Sequence, residues 1–131
     1  MRRELLLIGE MIEAASQAQS LVAGIDLATL SADRQRREAL LWNFTVLGEA
    51  AAQLDDLVKA KFPKIPWVQP VRLRNRVIHG YWSIDLQILH TTATDLLPGF
   101  CEQLRDALEA LDAEEGPSAA NDVVADHPEE G

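Results

Sequence analysis

The chain has 131 residues, 47% of them apolar and only 5% aromatic, with 12 basic and 21 acidic side chains and a net charge of −9. One cysteine, Cys101, excludes an internal disulfide and makes a cytoplasmic location the default, while Gly9-Glu10 and Glu13 cut short the only apolar run near the start, leaving neither a signal peptide nor a membrane span. The overall charge argues against a nucleic-acid partner, but it is unevenly placed: seven acids and no base lie from Asp112 onward, and six of the 12 bases fall between Lys59 and Arg76.

The spacing predicts a first helix from Arg2 to about Ala23, with Leu5, Ile8, Ile12, Ala15 and Val22 on one stripe and Met11 and Ala18 beside it. Gly24 stops it, and Ile25 to Ser31 reads as a connection. Ser31 or Asp33 can cap a second helix, expected from about Asp33 to Lys61. Its seam, Leu40, Phe44, Leu47, Ala51, Leu54 and Val58, alternates steps of four and three as in a tightly packed bundle. Within it, Gly48 and Ala50 to Ala52 form a small-residue patch where another helix can approach closely. Glu49 reads either as a carboxylate that orients an arginine of the site or as a solvated helix charge.

Phe62-Pro63-Lys64-Ile65-Pro66 breaks the pattern. A third, shorter helix follows, its regular part expected from Pro70 because proline is tolerated only in a first turn. Trp67 reads as a core anchor. Gly80 suggests a left-handed cap after His79. Ser83 or Asp85 caps a last helix to about Leu111, buried through Leu86, Leu89, Ala93, Leu97, Phe100, Leu104, Ala107 and Leu111, and Pro98-Gly99 should kink it. Beyond Leu111 the composition cannot build a core, so residues 1–112 form the helical domain and 113–131 a disordered acidic tail. Cys101 sits among apolar residues and reads as a buried thiol. His90 reads as structural, and three scattered histidines with one cysteine make a structural zinc site improbable. The fold expected is an all-α, antiparallel four-helix bundle with a kinked last helix.

Chemistry concentrates in Arg72 to Tyr81, which holds Arg72, Arg74, Asn75, Arg76, His79 and Tyr81. Arg72 and Arg76 are four apart, as are Asn75 and His79, so each pair shares a helix face. Arg74 and His79 are five apart, about 140° around a straight helix, and meet at one ligand only near a helix end or between two chains. A histidine beside fixed guanidinium groups suits phosphoryl-transfer chemistry.

The run Arg74-Asn75-Arg76-Val77-Ile78-His79-Gly80-Tyr81 resembles the R-x-x-x-x-H-x-Y signature of HEPN-domain toxins of the HepT type. Leu47-Gly48-Glu49-Ala50-Ala51, Ile65-Pro66-Trp67 and Ile84-Asp85 resemble the same family, over roughly residues 1 to 111. The resemblance implies a metal-independent endoribonuclease, without a cofactor, in a type VII-like toxin–antitoxin system. It implies His79 as the proton shuttle in attack of the ribose 2′-hydroxyl, Arg74 as the group stabilising phosphoryl charge, and Asn75 as a positioning residue. Arg72 and Arg76 lie outside that pair and read as RNA-backbone contacts or plain surface charge. The family also implies a homodimer with a composite site, assembled in turn with a nucleotidyltransferase antitoxin of the MNT type. That antitoxin would attach AMP to Tyr81, placing bulky negative charge beside His79 and Arg74. A non-catalytic HEPN partner that binds a nucleotidyltransferase or nucleotide is the alternative, and a simple helical dimerisation module a third.

Overall fold

The computed structural model describes residues 2–81 and 83–125, with side chains through Glu114. Its helices are α1 (Arg2–Val22), α2 (Leu27–Ala32), α3 (Arg34–Gln53), α4 (Asp56–Lys61), α5 (Val68–His79), α6 (Leu86–Thr91) and α7 (Leu97–Ala125), with a π-helical turn over Thr92–Leu96. There is no strand among the described residues. The all-α bundle expected is the one observed: α1, α3, α5 and the composite α6–π–α7 are its four long members.

Hydrogen bonds fix the helix directions. Arg3 at the start of α1 donates to the Gln53 carbonyl at the end of α3 (3.2 Å), and Arg36 near the start of α3 donates to the Leu21 carbonyl (2.8 Å), so the two run antiparallel. Gln19 reaches Cys101 (3.3 Å) and Arg105 reaches Ser16 (3.4 Å), which sets α7 antiparallel to α1. The core between them contains Ile8, Met11, Ala15, Ala18, Leu104 and Leu111, all essentially without solvent contact. Cys101 is buried with them, as expected.

Several local expectations are corrected. The predicted connection after Gly24 contains α2, capped by Asp26, whose carboxylate accepts from Thr29 N. Asp33, not Ser31, caps α3. The long second helix is broken: Leu54 is extended, and Asp55 caps a separate α4 by accepting from Leu57 N. Another helix satisfies the break, since the buried carboxylate of Glu4 accepts the freed backbone N–H of Asp55 at 2.9 Å. Helix α5 begins at Val68, two residues before Pro70, which still falls in the first turn.

In the fourth member the irregularity lies upstream of Pro98-Gly99. Leu97 N donates five residues back to Thr92 O. Pro98 has no N–H, and in a regular α-helix its ring would crowd the carbonyl four residues earlier, that of Thr94, which lies within the wider π turn. The helical backbone then reaches Ala125, beyond the end near Leu111 expected from the sequence; Leu111 is the last buried residue among the side chains described. The expectation for the final residues, 126–131, lies outside the described residues. No helix among the described residues is long and apolar enough to cross a membrane.

Candidate active site

Helix α5 carries Arg72, Arg74, Asn75, Arg76 and His79, the residues singled out from the sequence, and its entry is anchored in the core. Trp67 is buried and its Nε1 donates to the Phe62 carbonyl at 3.1 Å, which is the anchoring role expected of it. At the other end, Gly80 N donates to Arg76 O at 2.9 Å, and Ser83 N closes a turn onto Gly80 O at 2.9 Å. Gly80 has φ −134°, so the expected left-handed cap is absent; the one glycine with positive φ among the described residues is Gly24, at the end of α1. The stop after His79 is made by that Ser83 turn rather than by glycine's left-handed freedom.

Arg74 is the most constrained of the cluster. It faces α3, where Nη1 donates to Glu49 Oε2 at 2.7 Å. Its side chain is 16% exposed against 48% for Glu49. The close approach is made by Gly48, over which the first carbons of the Arg74 side chain and the Pro70 carbonyl lie with no room for a Cβ. Arg74 Nε is buried and makes no hydrogen bond among the described residues, so the bond from Nη1 to Glu49 is what holds the guanidinium there.

The other predicted site residues distribute around the same helix. Arg72, Asn75, Arg76 and His79 are exposed, and none of them forms an ion pair or side-chain hydrogen bond among the described residues. Arg72, Arg76 and His79 stand at i, i+4 and i+7, one stripe of the helix surface, while Arg74 points away from it toward α3. Among the described residues, no hydrogen bond or ion pair links Arg74 to His79. Tyr81 is 37% exposed. Its hydroxyl lies within electrostatic reach of Arg34 at the start of α3, whose guanidinium is held above its ordinary value first by Glu38 and more weakly by Tyr81. His90 is structural, as expected, with Nε2 2.6 Å from the Ile25 carbonyl. Among the described residues no group of three or more histidine, cysteine or acidic side chains could hold a metal ion.

Two features escaped the sequence. Glu4 reads as an ordinary first-turn acid, and only the fold brings it to Asp55. A groove of about 870 Å³ between α5 and α6–α7, lined in part by Arg72 and Arg76, has no sequence signal because it is a gap between helices.

Comparison with known proteins places this geometry. The model of the HepT-like ribonuclease family matches residues 11–109, a span that holds Glu49, Arg74, His79 and Tyr81. The chain belongs to this family. Among curated HepT-like relatives, a protein named "Probable ribonuclease HepT" from Thermococcus cleftensis is 26% identical over 73% of this chain and 90% of its own length. Two Methanocaldococcus jannaschii proteins with provisional RNase names are 28% identical over 68% of this chain and 82% of theirs, and 25% identical over 63% and 69%. No solved structure matches the chain. The motif resemblance and the family match therefore agree on a HepT-like ribonuclease.

Proposed function

We propose that this ribonuclease is the toxin of a type VII-like toxin–antitoxin pair and that it cleaves RNA without a metal ion. In this reading the exposed His79 takes the proton from a ribose 2′-hydroxyl. The freed O2′ attacks the adjacent phosphorus, the P–O5′ bond breaks and His79 passes its proton to the leaving 5′-oxygen, giving a 2′,3′-cyclic phosphate and a 5′-hydroxyl end. Arg74 stabilises charge on the non-bridging oxygens through Nη2, the nitrogen that neither Glu49 nor the α3 surface occupies. Asn75, on the face of His79, positions the RNA backbone, and Arg72 and Arg76 neutralise flanking phosphates.

The observation that carries the reading is the Arg74–Glu49 ion pair seated on Gly48, which fixes one guanidinium in an otherwise solvated basic helix. Arg74 faces α3 and lies about 140° around the helix from His79, and in this reading a second chain, rather than the helix end at His79, brings the two together. In the homodimer, Arg74 of one protomer acts with the partner's His79. Tyr81, exposed just beyond the end of α5, is the acceptor for AMP from the nucleotidyltransferase antitoxin, in a cytoplasmic hetero-oligomer. Adenylylation would place phosphate charge where the substrate phosphate must sit.

A second reading rests on the same ion pair. Glu49 already offsets the charge of Arg74, which suits a non-catalytic subunit that holds a nucleotidyltransferase. Mixing Arg74→Ala with His79→Ala protein separates the readings. A composite ribonuclease regains one intact site in the mixed dimer and cleaves, whereas a non-catalytic subunit stays silent in every combination.

A further inference from the structure

The groove between α5 and α6–α7 shares Arg72 and Arg76 with the site described above, and its apolar interior has no role there. Its floor is Phe44 and Leu47 of α3, and its apolar walls include Leu73 on one side and Leu97 and Phe100 on the other. Arg72 and Arg76 line the α5 wall, and Asp95 lines the opposite one. None of the three forms an ion pair among the described residues, so both signs of charge line the groove without neutralising each other by direct contact. Asp95 belongs to the π turn Thr92–Leu96, an irregularity of the kind that recurs at ligand sites.

The occupant that fits is amphipathic, with an anionic edge for the arginines, a flat apolar body for the slot and a hydrogen-bond donor for the carboxylate. A nucleotide has all three. We propose that this groove seats one nucleobase of a single-stranded RNA whose phosphates follow Arg72 and Arg76 toward His79, and that Asp95 selects bases bearing an amino group. The inference rests on the ribonuclease reading and gives it a substrate class. The stripe Arg72, Arg76, His79 rises about 10 Å along α5, so a strand bound at the two arginines is led to the histidine. Adenine, cytosine and guanine carry an exocyclic amino group that a carboxylate can accept from, and uracil does not. Stacking in the apolar slot serves every base, so the discrimination falls to Asp95.

The test uses the full chain and three 2′-O-methyl octamers, of A, of C and of U, which cannot be cleaved and so report binding alone. Wild-type protein is expected to hold the A and C octamers about tenfold more tightly than the U octamer, the worth of one hydrogen bond to a charged group. Asp95→Ala brings the three affinities together by weakening A and C. Gly99→Leu blocks the groove without disturbing the core, because Gly99 lines it and a Cβ there meets nothing within 4 Å. It is expected to weaken all three octamers about tenfold, the scale of one lost base-stacking contact. Equal affinities of wild-type protein for the three octamers overturn the role of Asp95. Unchanged binding by Gly99→Leu overturns the subsite and leaves the groove to a protein partner. Cleavage is measured separately on ordinary RNA: failure there removes the ribonuclease reading while base-selective binding stands, and cleavage with unselective binding does the reverse.

Discussion

Gly48 and Arg74 are in contact through the absence of a side chain: a Cβ on Gly48 would lie 2.8 Å from Arg74 Cγ and 2.6 Å from the Pro70 carbonyl oxygen. An alanine in mid-helix normally gains up to about 1 kcal/mol over glycine. Here the sign should reverse, because α5 must be pushed off α3, an overpacking cost of about 1–3 kcal/mol. Gly48→Ala is therefore expected to lower the thermal midpoint and, by displacing Arg74, to cut RNA cleavage more than the remaining folded fraction explains. Melting and cleavage measured on the same preparation check both.

The Glu49–Arg74 pair should matter more to turnover than to stability. Glu49 is half exposed, so the pair is screened and is worth no more than about 1 kcal/mol to the fold. Glu49→Gln keeps an acceptor for Nη1 but loses the charge that fixes the guanidinium. The expected result is a kcat lowered about tenfold, a loss of about 1.4 kcal/mol of transition-state stabilisation, with KM and melting nearly unchanged. A KM effect alone would make Glu49 a binding group instead.

Glu4 should be a stability residue with no catalytic role. Its carboxylate is buried and accepts from Asp55 N at 2.9 Å, with Arg3 Nη1 3.0 Å away. Glu4→Leu leaves that N–H unsatisfied and should cost about 1–3 kcal/mol in urea unfolding. Glu4→Gln, which keeps an oxygen acceptor, should cost less.

Two capping aspartates should make part of the stability depend on acid pH. Asp26 is held below its ordinary value of 3.8 chiefly by its hydrogen bond with Thr29, and Asp33 chiefly by the backbone N–H of Arg36. Their folded values lie below the unfolded ones, so the unfolded chain binds more protons in that window. The stabilisation is complete above the unfolded value and is lost as pH falls through the folded values. The thermal midpoint should fall with pH through that window, and Asp33→Asn should fall less steeply.

Much of the bundle was legible because burial repeats at helical spacing. Leu40, Phe44, Leu47, Ala51, Leu54 and Val58 are all buried as the seam predicted, even though the helix breaks between Gln53 and Asp56. The break itself had no local signal, since its stabilising partner Glu4 is 51 residues away in sequence. Pro98 announced an irregularity, and the chain absorbed it one turn earlier, in the π turn that contains Thr94. The motif Arg74 to Tyr81 was readable as chemistry, while Glu49 stayed open between an orienter of arginine and a solvated helix charge. That Glu49 meets Arg74 depends on α3 and α5 packing at Gly48, which is a tertiary relationship. The groove and Asp95 were invisible for the same reason.

The most direct measurement is RNA cleavage in EDTA by protein made in the absence of any nucleotidyltransferase partner, with Tyr81 shown bare by intact mass, beside His79→Ala. The account predicts cleavage that survives chelation, leaves 2′,3′-cyclic phosphate ends and disappears in His79→Ala. No cleavage of several RNAs by bare protein, or equal cleavage by both proteins, would contradict it.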